Sequence, residues 1–197
     1  MPTPPPPTSW DFALERVPEG EDLIGIGADL DVATLFEAYS IGVFPMGIGD
    51  HGAAPIGWWS PDPRGVLRPR ELVVSRSLRK AVGHFEIRVD TDFRAVVEAC
   101  AAPDREGRWI TDDIVEAYDE MHRAGWAHSV ETWQDGVLVG GLYGVARCGV
   151  CHWTSTSRRG SSSARSSEQS PTRATFEASR AWWNIDSPAK RPPMATP

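Results

Sequence analysis

Residues 111–146 read TDDIVEAYDEMHRAGWAHSVETWQDGVLVGGLYGVA, and the reading of this stretch decides the fold. Thr111 is a good helix N-cap, and Asp112 and Asp113 put negative charge on the first turn, where the helix dipole favours it. Ile114, Tyr118 and Met121 then carry one apolar face, and Gly125 ends the helix. Residues 127–133 and 137–145 predict two strands joined at Asp135-Gly136, a strong hairpin dipeptide. A helix feeding a hairpin, rather than alternating β-α units, implies an α+β fold.

Upstream, FEIRV at 85–89 alternates apolar and charged side chains and predicts a half-buried strand. Asp90 or Thr91 is placed to cap a following helix whose Phe93, Val96, Val97 and Cys100 form an amphipathic stripe. Ser75–Val82 predicts a short helix, and 65–68 and 71–74 predict short strands. Residues 31–40 predict a helix capped by Asp31, with Leu35, Phe36 and Tyr39 on one face. Gly42 ends it and Phe44-Pro45 prevents its resumption. Residues 47–64 are rich in Gly and Pro around Trp58-Trp59, and predict a shaped loop with one tryptophan in the core and the other on a surface or pocket. The Pro-rich residues 1–9 predict an extended lead-in.

Downstream of Ala146 the texture changes. Ser, Thr, Arg and Pro dominate, no helical or strand period persists, and a disordered tail over 147–197 is expected because little apolar surface is available to offset ordering entropy. The charge changes at the same point: residues 1–146 carry 12 Lys+Arg and 24 Asp+Glu, whereas 147–197 carry 8 and 3, giving the net −7 of the chain. With nothing after it to pair, the second hairpin strand reads as the end of an interrupted sheet.

Bulk properties exclude some classes. No run approaches the roughly 18 apolar residues of a membrane helix, and MPTPPPPTSW lacks a secretory n- and h-region; a cytoplasmic protein without membrane contact is expected. Three scattered cysteines do not make a disulfide framework. The acidic body argues against sequence-blind nucleic-acid binding. A local basic strip of Arg64, Arg68, Arg70, Arg76, Arg79 and Lys80 stands out against it.

The ordered motifs GIGADL (25–30), EAYSIGVFP (37–45), WWSPDPRGVL (58–67), SRSLRK (75–80), WIT (109–111), EAY (116–118), AHSVETW (127–133) and GGLYGVA (140–146) resemble the leucyl/phenylalanyl-tRNA–protein transferase family over residues 10–146. The seven-residue run Trp58–Arg64 is the most specific. The resemblance implies a small N-terminal lobe (10–64), followed by an N-acetyltransferase-like mixed-sheet domain, here partial (65–146). It implies transfer of Leu, Phe or Met from aminoacyl-tRNA to proteins with N-terminal Arg or Lys, marking them for N-degron proteolysis. It implies no metal or organic cofactor. Carried onto this chain, it sets Met46 and Trp109 as the adenine clamp, with Met46 where the family has Trp. A methionine still lies against a base, with less directional preference. Tyr39, Tyr118, Trp58 and Trp59 are candidates for the 3′-adenosine and aminoacyl pocket. Arg64, Arg76 and Arg79 are candidates for tRNA phosphates.

The family's Gly-Glu-Ser-Met-Phe-Ser-like and Asp-Cys-Gln motifs are missing after GGLYGVA, so catalytic residues stay unassigned and an inactive chain is expected. Simultaneous loss of motif, period and acidic balance near residue 147 points to a shifted reading frame. Plainer readings stand beside these. Trp58-Trp59, Tyr39 and Tyr118 suit core packing, the arginines suit a solvated face, and His128 suits an ordinary half-buried strand position. A non-catalytic fragment binding aminoacyl-tRNA ends or protein N-termini is the alternative function. Cys148-x-x-Cys151-His152 fits a c-type haem attachment pattern, but no export signal accompanies it, and a zinc site lacks a second Cys pair.

Overall fold

The structure, a computed structural model, describes residues 2–157 other than 17, 19, 69, 70, 106, 148 and 149. Most of the expected tail, and part of the Cys148–His152 motif, lie outside the described residues. Residues 2–64 and 83–157 form one unit, and residues 65–82 form a second.

The first unit contains two antiparallel sheets. Strands β1 (Leu23–Ile26), β2 (Phe44–Gly47) and β3 (Ile56–Trp59) form one, in the order β1-β3-β2. Helix α1 (Val32–Ser40) connects β1 to β2. This corrects the expectation of an irregular loop over 47–64: Trp58 pairs with both Gly25 and Pro45. These pairings are long-range and leave no local period to read. Pro45 is tolerated because β2 is an edge strand, where its missing N–H breaks no ladder bond.

The second sheet has the order β4-β5-β6-β7, from β4 (Glu86–Val89), β5 (Ala127–Gln134), β6 (Val137–Arg147) and β7 (Val150–Ser157). Asp135 (φ 51°) and Gly136 (φ 75°) make the β5–β6 turn with both residues left-handed, as a two-residue hairpin requires. Strand β7 corrects the expectation that nothing pairs the second hairpin strand: Tyr143 is opposite Thr154 and Arg147 opposite Val150. Val, Trp and Thr suit a pleated strand, and the open edge of β6 supplies the unpaired backbone groups that a serine-rich composition obscured.

Helices α3 (Phe93–Cys100) and α4 (Asp112–Arg123) cover one face of this sheet. Phe93, Val96, Val97 and Cys100 are all buried, matching the predicted stripe. Asp92, not Asp90 or Thr91, caps α3 by accepting from the Ala95 N–H at 3.3 Å. Asp90 instead accepts from the Ser129 N–H at 2.8 Å and lies 2.8 Å from His128 Nδ1. Asp31 and Thr111 stand at their helix N-caps but make no side-chain capping bond. At α1, Asp29 does the polar work, accepting from the Asp31 N–H and the Thr34 hydroxyl. Arg94 ties α3 to α4 through Glu116 and Asp119, and pairs with Glu98 one turn along α3 itself at 2.8 Å.

Strand β4 is turned over relative to expectation. Arg88 stacks on the Trp133 ring at 4.5 Å, opposite Glu131. Ile87 and Val89 point the other way and are 54 % and 61 % exposed. Alternation fixes only that the two sets face opposite sides; Arg88 is held on its side by the Trp133 ring and by two bonds to Glu86 at 2.8 Å each.

In the second unit, the predicted strands at 65–68 and 71–74 are absent from the described residues. Helix α2 (Arg76–Ala81) forms as expected, with Ser75 Oγ accepting from the Leu78 N–H at 3.1 Å.

Burial raises the Cys100 thiol to about 12, against a weaker opposing influence of Arg105. Since the thiolate is the reactive form, Cys100 is expected to resist alkylation in the folded chain at neutral pH and to label fully on unfolding. Site-resolved mass spectrometry checks this; labelling of the folded chain at the rate of a free peptide thiol refutes it.

Candidate aminoacyl-adenosine site

Two clusters gather most of the candidate residues. The first begins with Gly42, whose φ of 82° lets the chain reverse after α1; the Val43 N–H then returns to the Ala38 carbonyl at 2.8 Å. That reversal fixes the last turn of α1, which carries Tyr39. Its hydroxyl is hydrogen-bonded to that of Tyr118 on α4, and their rings meet edge-on at 6.3 Å. Tyr118 meets Tyr143 of β6 edge-on at 5.3 Å, Tyr143 meets Phe93 at 5.9 Å, and Phe93 stacks flat on His122 at 4.3 Å. The edge-to-face contacts place the positive ring edge against the negative face.

Burial raises both the Tyr39 and Tyr118 phenols well above their ordinary value. For Tyr39 the hydrogen bond with Tyr118 and the positive Arg64 pull the other way without cancelling it. Both phenols are therefore neutral at physiological pH. They donate and accept hydrogen bonds, and they do not act as general bases.

Arg64 belongs to this cluster. Its guanidinium donates to the Gly42 carbonyl and lies 3.5 Å from Ser60 Oγ. Partial burial lowers its pKa, and Tyr39 opposes that. The contacts are internal: Arg64 clips the Ser60–Arg64 stretch to the end of α1. Arg76 and Arg79, by contrast, are exposed on α2 in the second unit.

The second cluster centres on β2 and β3. Trp58 is 1 % exposed, packs on Phe12 at 4.8 Å, and donates from Nε1 to the Gly27 carbonyl at 2.7 Å. Trp59 takes the other side of the strand. It is half-buried, and its Nε1 donates to the Met46 carbonyl at 3.1 Å. Between β2 and β3 the chain makes a tight turn at 48–55, including a single 3₁₀ turn at Asp50–Gly52. This turn rests on Trp109. A Cβ at Gly52 would lie 2.1 Å from the Trp109 carbonyl oxygen, and one at Gly47 would lie 1.8 Å from the Gly52 carbonyl oxygen. Met46 and Trp109, 63 positions apart in sequence, are thus joined through main-chain contact at Gly47 and Gly52. Both side chains are half-buried, leaving part of each accessible.

Sequence reasoning missed Tyr143, Gly47, Gly52 and Glu131. Tyr143 was legible from strand alternation with Gly141 and Val145. The glycines had no signal, since only the folded backbone shows what a Cβ would strike. Glu131 is fully buried: Oε1 accepts from the Thr91 and Asp92 N–H groups (2.9 Å each) and from Ser129 Oγ (2.7 Å), and Oε2 from Trp133 Nε1 (3.1 Å). It is a structural carboxylate. Among the described residues no group of three or more His, Cys, Asp or Glu side chains is arranged to hold a metal ion, and no helix is long and apolar enough to cross a membrane.

The comparisons with known proteins converge. The model described as leucyl/phenylalanyl-tRNA protein transferase matches residues 66–166, and the model for that transferase's N-terminal domain matches 28–62. Proteins named leucyl/phenylalanyl-tRNA–protein transferase are similar to this chain. One, from Nitrosospira multiformis, is 57 % identical over 129 residues, covering 63 % of this chain and 54 % of the relative. Another, from Azotobacter vinelandii, is 53 % identical over 140 residues, covering 68 % and 60 %. A third, from Pseudomonas paraeruginosa, is 50 % identical over 145 residues, covering 71 % and 63 %. The two matching models place the chain in the class of aminoacyl-tRNA–protein transferases. Within that class, the chain belongs to the leucyl/phenylalanyl-tRNA protein transferase family. It spans between about half and two-thirds of the length of the three relatives above.

Proposed function

We propose that this chain binds the aminoacylated 3′-adenosine of a tRNA, as part of an enzyme that moves Leu, Phe or Met onto proteins beginning with Arg or Lys and marks them for N-degron proteolysis. The single observation that carries the reading is the joining of Met46 and Trp109 across the 48–55 turn, in a chain of this family. Their half-buried side chains suit a flat, apolar ligand surface, and aromatic stacking contributes roughly 1–3 kcal/mol per base. The hydroxyls of Tyr39 and Tyr118 suit a neutral polar anchor beside an apolar aminoacyl side chain.

In the transfer step, the acceptor's neutral α-amine attacks the ester carbonyl. A C–N bond forms, the ester C–O bond breaks, the tRNA 3′-hydroxyl leaves, and the amine's proton passes to a base. Neutral Tyr39 and Tyr118 do not fill that last role, and Glu131 is committed to the α3 N-terminus. We therefore place recognition of the aminoacyl-adenosine end within residues 2–157 and leave the base unassigned.

The test uses labelled Leu-tRNA with the purified chain. Filter binding is expected to favour the charged over the uncharged tRNA, with little or no transfer to an acceptor beginning with Arg. Trp109→Ala is expected to weaken binding by about 10-fold or more. Equal retention of charged and uncharged tRNA would sink the proposal. Efficient transfer would show that the described residues or the remaining chain supply a base, and would restore full catalytic function.

A further inference from the structure

We infer that Gly52 is a positioning residue that seats the Trp109 indole against Met46. The inference rests on the adenosine-binding reading above, and it adds a residue that the family resemblance does not reach. Three backbone segments meet with no side chain between them. Gly47 follows Met46 on β2, and its Cβ position would coincide with the Gly52 carbonyl group, 1.8 Å from the oxygen and 2.4 Å from the carbon. The Gly52 Cβ position in turn would strike Trp109, 2.1 Å from its oxygen, 2.5 Å from its carbonyl carbon and 2.6 Å from its Cα. These are main-chain atoms, which cannot rotate away as a flexible side chain can.

Gly52 is restricted twice over. Its φ of 81° is a left-handed conformation that L side chains rarely adopt, and it is fully enclosed. The turn that presents it is closed by its own ladder: the Gly49 N–H donates to Ala53 O (2.9 Å), Gly52 N–H to Gly49 O (3.1 Å) and Ala53 N–H to Asp50 O (3.1 Å). The β2 end is held separately by the Trp59 Nε1 bond to the Met46 carbonyl. The turn therefore acts as a spacer of fixed thickness between Met46 and the Trp109 main chain. Adding one methyl at Gly52 must push Trp109 and Met46 apart, which a base held between them would sense.

The experiment measures binding of a non-hydrolysable 3′-phenylalanylamino-adenosine to the full chain and its variants, with 5-fluorotryptophan incorporated so that the Trp109 resonance is read by ¹⁹F NMR. Gly52→Ala is expected to weaken binding tenfold or more and to shift the Trp109 resonance, while the Trp58 resonance in the core stays in place. Gly83→Ala, outside this turn and with nothing within 4 Å of the added Cβ, is expected to change affinity less than twofold. Wild-type affinity in Gly52→Ala, or equal losses in both variants, overturns the inference. Should Gly52→Ala fail to fold, amide exchange on the unaltered chain decides: the amides of His51–Ala53 slow on ligand binding if the inference holds, and unchanged exchange in a ligand-bound chain overturns it. Trp109→Ala separates the two levels. Loss in Trp109→Ala with none in Gly52→Ala defeats this inference alone; wild-type affinity in Trp109→Ala defeats the adenosine reading and this inference with it.

Discussion

Replacing Glu131 with alanine is expected to destabilise the fold by about 3–5 kcal/mol, measured as the shift in urea unfolding. Four donors converge on this carboxylate: the Thr91 and Asp92 N–H groups, the Ser129 hydroxyl and the Trp133 indole. Glu131 itself has no exposure; removing it orphans all four donors, of which the Ser129 hydroxyl is in a buried contact and the other three are in part-buried ones, and each unsatisfied group costs about 1–3 kcal/mol before water reaches it. It also removes negative charge from the N-terminus of α3. Glu131→Gln keeps the shape but puts an NH₂ where an acceptor was needed, so a smaller loss of about 1–3 kcal/mol is expected. The two should differ in pH dependence. Burial opposes the charged form, but the hydrogen bonds outweigh it and lower the folded-state pKa. The stabilisation is thus fully present above the unfolded value, roughly 4.3, and is lost as pH falls through the folded value. The gap between wild type and Glu131→Gln should narrow on acidification. A gap that is constant with pH, or an alanine variant within about 1 kcal/mol of wild type, would refute this account.

The second large effect is expected at Trp58. Trp58→Ala removes a side chain that is 1 % exposed, its contact with Phe12 and its bond to the Gly27 carbonyl. A loss of about 3–5 kcal/mol is expected for such a core aromatic. Trp59→Ala, one residue on and half-buried on the opposite side of β3, is expected to cost about 1–2 kcal/mol. Parallel unfolding curves for the two variants check the ordering. Equal losses would mean that the strand does not divide the pair between core and surface.

Much of the second sheet was legible because its signals are local. The β5–β6 hairpin follows from alternation on either side of Asp135-Gly136, and α3 and α4 from their apolar stripes and terminating residues. The three-stranded sheet was illegible for the opposite reason. Its strands have four residues each, and their partners lie on the far side of α1 or of the 48–55 turn. Short strands that carry Gly and Pro have no period of their own. The predicted strands at 65–68 and 71–74 show the converse: apolar residues such as Val66, Leu67 and Val73 are exposed, at 75 %, 68 % and 86 %, and β-propensity without a partner strand makes no sheet.

The candidate site divides in the same way. Motif resemblance named Tyr39, Tyr118, Met46 and Trp109, and the structure joins them as two pairs rather than one. The Tyr39–Tyr118 pair needs α1 to pack on α4, and the Met46–Trp109 pair needs two glycines to stack. Arg64, grouped in sequence with Arg76 and Arg79, turns inward to the Gly42 carbonyl while the other two lie on a separate unit.

By itself, the sequence determined the family, the α+β class, the helices and the hairpin, because side-chain period, turn residues and ordered motifs are properties of neighbours along the chain. Only the tertiary structure decided which side chain of β4 packs on Trp133, which aspartate caps α3, that a third strand pairs with the hairpin, and that Gly52 lies against Trp109. Each of those depends on atoms brought together from distant segments, where excluded volume and the pairing of buried polar groups choose among arrangements that the local pattern leaves equal.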